Sequence, residues 1–254
     1  MSFLQSIILG IIEGVTEFLP ISSTGHMILA SKILGFAESD FLKSFEISIQ
    51  LGAILAVAVL YWKRFLFDLK ILKKIAVAFA PTAILGLIFY KIVKIFLGSE
   101  NVVLWSLFVG GLFLIIFEIW RKGKDGAVDL NSLTIKQSFF IGLFQSVALI
   151  PGVSRAAATI VGGLFLGIKR KDIVEFSFLL AVPTMLAASG YDLLKSAGAF
   201  TSEQFILLAI GFAVSFFVAI AAVKFLLIFV KNHTFIIFGI YRVLVSLAFW
   251  MMIK

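Results

Sequence analysis

Residues 13–26 read EGVTEFLPISSTGH and interrupt one of the most apolar parts of the chain. This stretch contains two carboxylates, Glu13 and Glu17, followed by a proline, a run of hydroxyl side chains and a histidine. A second interruption, PGVSRAAAT at residues 151–159, again has a proline and a serine, and it adds Arg155. Non-helical backbone at membrane depth is stable only against protein or beside a water-filled cavity. The two interruptions therefore predict a buried polar site.

The composition is that of a membrane protein. The 254 residues are 61% hydrophobic and 14% charged, and the mean hydropathy is +1.13. A soluble domain is about half apolar and about a quarter charged. Four prolines and no low-complexity stretch predict one integral membrane domain, residues 1–254, without linkers. The chain has no cysteine, which excludes disulfides, thiol nucleophiles and thiolate metal sites.

Six apolar segments are long enough to span a bilayer, which takes about 20 helical residues. They are residues 42–62, 75–97, 102–120, 173–194, 205–230 and 234–253. Two further regions, 2–35 and 137–168, are broken at their prolines. The pieces after the breaks, 22–35 and 154–167, have 14 residues each. That length predicts re-entrant half-helices, each capped by a serine.

The net charge of +8 reflects topology rather than nucleic-acid binding, because the cations cluster in short gaps between apolar segments. The clusters are Lys63, Arg64, Lys70, Lys73 and Lys74; Arg121, Lys122, Lys124 and Lys136; Lys169, Arg170 and Lys171; and Lys231. Placing all four in the cytoplasm puts residues 37–40 outside. The first hairpin then enters the membrane from the external face, so we expect the site to face the periplasm or exterior.

The two halves of the chain resemble each other. GIIEGVTEFLPIS at residues 10–22 matches GLFQSVALIPGVS at residues 142–154 with a one-residue gap. Each half has one hairpin and three crossings, and an odd number of crossings inverts the second copy. We therefore predict an all-α polytopic protein with two inverted-topology repeats, about 1–120 and about 134–254. Such repeats commonly bring broken helices together at the midplane.

The first interruption carries the acidic candidates. Glu13 and Glu17 are four residues apart and so share one helical face. Burying a carboxylate at the bilayer centre costs at least ~2.5 kcal/mol, which favours a metal site, a general base or a proton relay. The alternative is a hairpin short enough to leave both at a wet interface. His26 is a candidate acid, base or nucleophile, or a histidine bonded only to backbone.

The second interruption carries the cation. Arg155 follows Ser154, which can cap a helix whose first N–H groups form an anion site. Together with the helix that starts in the first interruption, this arrangement predicts a receptor for a di-anionic group such as phosphate. The alternative is that Arg155 only neutralises Glu13 or Glu17 at a structural kink.

Three other polar residues are candidates for supporting roles. Glu46 and Gln50 are spaced four residues apart in the helix after the first hairpin, and Glu46 could instead reach the membrane interface. Gln145 takes the place of Glu13 in the second half, which predicts a neutral residue lining the site. The many phenylalanines face lipid, pack, or line a groove for an isoprenoid tail.

The motifs EGVTEFLPISSTGH and PGVSRAAAT resemble the two signature regions of the bacterial undecaprenyl-diphosphate phosphatases, the bacitracin-resistance family. FEISIQLGAILAV and EFSFLLAVP are also similar to family segments, so the resemblance covers essentially the whole chain. It implies hydrolysis of undecaprenyl diphosphate to undecaprenyl phosphate and inorganic phosphate. This reaction recycles the lipid carrier of peptidoglycan synthesis in the bacterial cell membrane and confers bacitracin resistance. It also implies a divalent cation, Mg or Ca.

The resemblance assigns roles by matching motifs. It implies the catalytic residues Glu13, Glu17, Ser23, His26 and Arg155. The two glutamates would hold the metal, or one of them would serve as base. The implied phosphate-binding residues are Ser22, Thr24, Gly25, Gly152, Ser154, Arg155 and Thr159. Ala156 departs from the family pattern, which usually has serine after the arginine. The nucleophile is left open between His26, Ser23 and a bound water.

Other classes of function remain as alternatives. A transporter or flippase of a polyprenyl phosphate lipid would also use inverted repeats and midplane carboxylates. A channel or assembly protein with structural kinks is a third alternative, but it does not explain why charges and hydroxyls fall at both breaks. The expected partners are a polyprenyl diphosphate lipid and membrane lipid, with no nucleic acid, and a homodimer is left open.

Overall fold

The computed structural model describes residues 1–36, 39–97, 99–122, 124, 126–196 and 201–253, without the side chains of 191–196 and 253. This part of the chain is helical, apart from loops and one isolated parallel bridge between Val128 and Ile168. The α-helices are α1 Phe3–Thr16, α2 Ser23–Ile33, α3 Asp40–Leu60, α4 Trp62–Phe67, α5 Leu69–Ile88, α6 Tyr90–Leu97, α7 Glu100–Trp120, α8 Ile135–Ser146, α9 Arg155–Phe165, α10 Arg170–Ser196, α11 Ser202–Phe229 and α12 Ile236–Ile253.

Five of the described helices are long and apolar enough to cross a membrane, namely α3, α5, α7, α10 and α11. The protein is thus an all-helical, multi-pass membrane protein, as predicted. The predicted span 75–97 is wrong in its bounds, because α5 begins at Leu69 and ends at Ile88 and a separate helix, α6, follows. The segment predicted as the sixth span forms α12, which is among the shorter apolar helices.

The two predicted breaks and the short helices after them are confirmed. The first interruption separates α1, with 14 residues, from α2, with 11. The second separates α8, with 12 residues, from α9, with 11. At about 1.5 Å per residue, none of these helices reaches across a hydrocarbon core about 30 Å thick. Each pair therefore brings a helix N-terminus and irregular backbone into the protein interior.

The same backbone device starts both short helices after the breaks. Ser22 has φ 73° and Ser154 has φ 72°, and they are the only non-glycine residues with positive φ in the described part of the chain. Each serine caps its helix, since Ser22 Oγ accepts from Gly25 N at 3.3 Å and Ser154 Oγ accepts from Ala157 N at 3.2 Å. Non-glycine residues in this region store strain, and such positions cluster at functional sites.

Helix packing follows a repeated pattern. Helix α1 packs along α11, and α8 packs along α5. Helices α3 and α10 pack together, as do α7 and α12. Two glycines permit the closest approaches. A Cβ at Gly10 would lie 2.8 Å from the carbonyl oxygen of Gly211, and one at Gly142 would collide with the carbonyl of Ala78.

We expect Gly10→Ala to lower the unfolding temperature of the protein in detergent. The added methyl group forces α1 away from α11, and overpacking of this kind costs about 1–3 kcal/mol. The matched control is Gly190→Ala in α10, where nothing lies within 4 Å of the added Cβ and a helical alanine is favourable. Equal unfolding temperatures for the two variants would contradict this account of the α1–α11 contact.

Candidate active site

The two breaks meet at one cavity, which we call the central cavity. The first break contributes Glu17, Ser22, Ser23 and Thr24 to its wall. The second break and its approach contribute Ala148, Leu149, Pro151, Gly152, Ser154 and Arg155. The remaining wall consists of Gln50, Thr82, Gln145, Thr184, Met185 and Ala188. The cavity thus brings together most of the sequence-predicted site residues. Among the described residues that line it, only Glu17 and Arg155 are ionisable.

Glu17 joins the two breaks. Its Oε1 accepts from Arg155 Nη2 at 3.2 Å, and its Oε2 accepts a short hydrogen bond from the hydroxyl of Ser23. The side chains of Glu17 and Arg155 are only 4% and 11% exposed. Buried charges of this kind are stable when they are paired and hydrogen-bonded. One carboxylate therefore contacts both the candidate nucleophile Ser23 and the cation.

Arg155 is held from the side away from Glu17. Its Nη1 donates to the carbonyl of Ser177 at 2.9 Å, and its guanidinium lies 5.8 Å from the ring centroid of Phe18. Thr159 does not line the cavity. Its buried hydroxyl pairs with Ser177 Oγ at 2.6 Å and donates to the backbone of its own helix. Thr159 therefore supports the arginine through Ser177, which the sequence motifs did not single out.

Glu13 lies behind Glu17 and does not itself line the cavity. It is buried, 3% exposed, and its carboxyl group faces Glu17, with Glu46 and Arg155 also nearby. Its Oε1 has no hydrogen-bond partner. An unpaired buried carboxylate oxygen is costly. This oxygen therefore marks a position where a proton or a cation would be stabilising.

These residues offer a limited set of metal donors. Within the described residues, no group of three or more His, Asp or Glu side chains is arranged to hold a metal ion. What is present is the pair Glu13 and Glu17, with one carboxylate oxygen unpartnered. Mg²⁺ is commonly bound by one or two carboxylates and completed by substrate phosphates and water. The donor set fits that mode of binding and not an all-protein metal cage.

The structure separates His26 from the cavity. Its Nδ1 lies 2.7 Å from the carbonyl oxygen of Ser22, and its Nε2 lies 2.8 Å from the hydroxyl of Tyr241. The two rings stack with centroids 5.5 Å apart. Since a carbonyl only accepts, Nδ1 carries the hydrogen, and Nε2 of the neutral ring accepts from Tyr241. Both ring nitrogens are therefore engaged, whereas Ser23 lines the cavity.

Uncharged polar groups cover the opposite wall. Gln145 Nε2 donates to Thr82 Oγ1 at 2.9 Å and to Thr184 Oγ1 at 3.2 Å. Gln50 Oε1 accepts from Ser189 Oγ at 2.6 Å. Gln50 and Gln145 were predicted from sequence, but the three hydroxyl partners were not, because single hydroxyls inside apolar helices carry no motif. Gln145, Thr82 and Thr184 use their donors on each other and on backbone carbonyls, so this wall is polar without adding charge.

Two helix N-termini end at the same cavity. Ser22 and Ser23 begin α2, and Ser154 and Arg155 begin α9. The first N–H groups of a helix have no intrahelical acceptor and carry partial positive charge. With the guanidinium of Arg155, they form an environment suited to an anion. Gly25 contributes to this end of α2 by donating its N–H to the Ser22 cap.

A multi-pass helical protein with two interrupted helices that meet at one cavity, lined by their N-termini and a guanidinium, is the class that the fold and site define. Residues 6–248 match the family described as bacitracin resistance protein BacA. The chain is 51% identical over 246 residues to the undecaprenyl-diphosphatase of Aquifex aeolicus, covering 96% of each chain.

Two further relatives named undecaprenyl-diphosphatase are similar at full length. The protein of a Sulfurihydrogenibium species is 50% identical over 254 residues, covering 99% of each chain. That of Bdellovibrio bacteriovorus is 50% identical over 253 residues, covering 98% of this chain and 95% of the relative. The chain therefore belongs to the bacitracin resistance protein BacA family, and the resemblance found in its motifs is confirmed.

Proposed function

We propose that the protein is an undecaprenyl-diphosphatase, which releases the terminal phosphate of undecaprenyl diphosphate and leaves undecaprenyl phosphate. The observation that carries the proposal is the Ser23 hydroxyl donating to Glu17, with Arg155 on the other oxygen of that carboxylate. Family membership and the names of the relatives support it. The reaction returns a lipid carrier to peptidoglycan synthesis and accounts for bacitracin resistance.

The diphosphate binds in the central cavity between the N-termini of α2 and α9. Arg155 is the only cation in the wall, and the N–H groups at the two helix starts add fixed donors. The wall around Gln145 is polar and adds no negative charge that would repel the diphosphate. In phosphoryl transfer, donors that are already oriented stabilise the charge on the phosphoryl oxygens without reorganising during the reaction.

Ser23 is the nucleophile that the geometry favours. As its Oγ attacks the terminal phosphorus, its proton passes to Glu17, the carboxylate it already contacts. The bond from that phosphorus to the bridging oxygen breaks, and undecaprenyl phosphate leaves. Glu17 gives its proton to the departing lipid phosphate and then takes a proton from water, which attacks the phosphoserine. That proton returns to Ser23 Oγ as inorganic phosphate leaves. A transporter would not need this pairing of hydroxyl and carboxylate, so the pairing favours hydrolysis.

His26 has a different role in this mechanism. Its ring holds the carbonyl of Ser22, the residue with the positive φ that sets the start of α2. His26 therefore orients Ser23 through the backbone rather than attacking phosphorus. This assignment chooses among the three nucleophiles that the motifs left open.

We expect Ser23→Ala to reduce phosphate release from undecaprenyl diphosphate by at least about 10³-fold, because the nucleophile is removed. His26→Asn should reduce it by only about tenfold, the equivalent of one positioning hydrogen bond. The matched control is Ser31→Ala in the same helix, whose hydroxyl has no hydrogen-bond partner and should not affect the rate.

Quenching with SDS at neutral pH during turnover of substrate labelled in the terminal phosphate preserves both phosphoserine and the acid-labile phosphohistidine, and so identifies the attacking group. Label on serine supports the mechanism. Label on histidine would contradict it, and so would full activity of Ser23→Ala.

A divalent cation, Mg²⁺ or Ca²⁺, completes the proposed site. Glu13 and Glu17 are the residues that would hold it, together with oxygens of the substrate. The cation would neutralise charge on the phosphoryl group. The unpartnered oxygen of Glu13 is the observation that supports this assignment.

We expect chelation to abolish phosphate release and Mg²⁺ to restore it. Glu13→Gln should raise the Mg²⁺ concentration needed for half-maximal activity by at least about tenfold, since a ligand charge is lost. Glu203→Gln provides the control, because this exposed carboxylate lies in the first turn of α11. Activity that persists in chelator, or an unchanged Mg²⁺ requirement for Glu13→Gln, would remove the cation from the proposal.

We also propose that the two halves are inverted repeats and that the cavity opens to the exterior. The matching glycines Gly10 and Gly142 pack against corresponding helices, α11 and α5. Helices α3 and α10 are counterparts in the two halves, and so are α7 and α12. Each packs against its counterpart, as expected around a two-fold axis. Ser22 and Ser154 repeat the same strained cap. The basic clusters that the positive-inside rule assigns to the cytoplasm support the orientation.

Orientation can be measured directly because the chain has no cysteine. We expect Asp40→Cys to react in intact cells with a maleimide that does not cross membranes. Lys70→Cys should react only after permeabilisation, and both positions are exposed in the fold. The reverse pattern would place the cavity on the cytoplasmic side.

A further inference from the structure

Arg242 in α12 is a buried cation that the proposed mechanism does not use. Its side chain is 0% exposed, and it forms no ion pair with a carboxylate within the described residues. Arginine is among the most expensive residues to place inside a membrane, and such residues pair with other charged side chains or with backbone carbonyls. Since Arg242 has no carboxylate partner in the described part of the chain, backbone carbonyls must compensate its charge.

The guanidinium is compensated by backbone carbonyls from both breaks. Nη2 donates to Gly152 O at 2.9 Å and to Ser106 O at 3.0 Å. Nη1 donates to Val153 O at 3.1 Å and, more weakly, to Pro20 O at 3.5 Å. Three of these four carbonyls belong to the interrupted segments. A planar guanidinium with two donor arms can contact them together, whereas an ammonium group presents one point charge.

The guanidinium of Arg242 packs closely against α7, where a glycine leaves space for it. A Cβ at Gly110 in α7 would collide with Nη2 and lie 2.9 Å from Cζ of Arg242. Gly152, one of the acceptors, has φ +92°, and a Cβ there would lie 2.7 Å from Val103 O. The second break is therefore pressed against α7 on one side and bonded to Arg242 on the other.

The preceding residue of α12 reaches the first break by a separate route. Tyr241 contacts His26, which in turn bonds the carbonyl of Ser22. Two consecutive side chains of one helix thus connect to both interrupted segments. Neither Tyr241 nor Arg242 is among the described residues that line the central cavity, so neither needs to touch the substrate.

We propose that Arg242 is a positioning residue that fixes the two breaks relative to each other. By holding carbonyls on both, it keeps the Ser23 hydroxyl and the Arg155 guanidinium directed at the same phosphoryl group. The kinetic part of this inference rests on the proposed function. Displacement of reacting groups by about 1 Å can cost about 10²-fold in rate without loss of binding.

The kinetic experiment compares three variants with wild type in phosphate release from undecaprenyl diphosphate. Arg242→Lys keeps the charge but loses the forked geometry. Gly110→Ala leaves the arginine in the sequence but forces its guanidinium to move. Both should lower kcat by about 10–100-fold per folded molecule, with little change in KM.

Arg170→Lys is the matched control, because Arg170 is paired with Glu118 and Phe235 away from the cavity. It should keep the kcat of wild type even if it unfolds at a lower temperature. Normal kcat in folded Arg242→Lys and Gly110→Ala would overturn the proposal. A change in KM alone would also overturn it. If Arg242→Lys does not fold, Gly110→Ala decides the outcome.

A labelling experiment tests the positioning without relying on catalysis. Ala156, 1% exposed at the second break, is replaced by cysteine, and Ala219, 0% exposed in α11, serves as the reference position. In the Arg242→Lys background, we expect the maleimide reaction of Ala156→Cys to accelerate several-fold and that of Ala219→Cys to stay slow. Equal acceleration at both positions indicates general loosening and would overturn the proposal.

The two experiments separate this inference from the proposed function. Wild-type protein that releases no phosphate refutes the phosphatase, and the labelling result then decides the role of Arg242 alone. Phosphatase activity in wild type with unchanged labelling and unchanged kcat in the variants refutes only the positioning role.

Discussion

An interrupted helix inside a membrane leaves backbone carbonyl and N–H groups where no water can satisfy them. This protein carries that constraint twice, after Pro20 and after Pro151. The N–H groups are served by the strained caps Ser22 and Ser154, and several of the carbonyls by one buried arginine. The remaining helices enclose both breaks in protein. The rest of the fold depends on keeping these groups satisfied.

The same constraint produces the chemistry of the site. Breaking two helices toward one point aims two N-termini at a shared cavity, which favours an anion. It also brings Glu17 and Arg155 together across 138 positions of the chain. A carboxylate placed to compensate a cation then lies within hydrogen-bond reach of the Ser23 hydroxyl at the start of α2. In the proposed mechanism, structural compensation and catalytic preorganisation are thus provided by the same atoms.

The two halves of the cavity are chemically unequal. The first break contributes the carboxylates, whereas the corresponding part of the second half has Gln145, which is bonded to Thr82 and Thr184. A second pair of carboxylates would repel both the first pair and an anionic substrate. An uncharged wall avoids that repulsion and remains polar. In the proposed mechanism, the negative charge and the nucleophile therefore belong to the first break, and the cation belongs to the second.

The amino-acid sequence by itself determined the membrane class, the two breaks, the short helices after them and most of the cavity wall. These features are readable because apolar length, prolines and buried charges act locally and carry a high energetic cost when misplaced. The end of α5 at Ile88 was not readable in this way, since apolar composition continues beyond it.

Only the tertiary structure decided what each polar side chain contacts. His26 turns away from the cavity because Tyr241, 215 positions later, takes its second ring nitrogen. The sequence did not distinguish Arg242, whose carbonyl partners lie on three separate segments. Hydrogen bonds form wherever distant helices place donors and acceptors within about 3 Å. No local pattern records that placement, because it is fixed by the packing of the whole bundle.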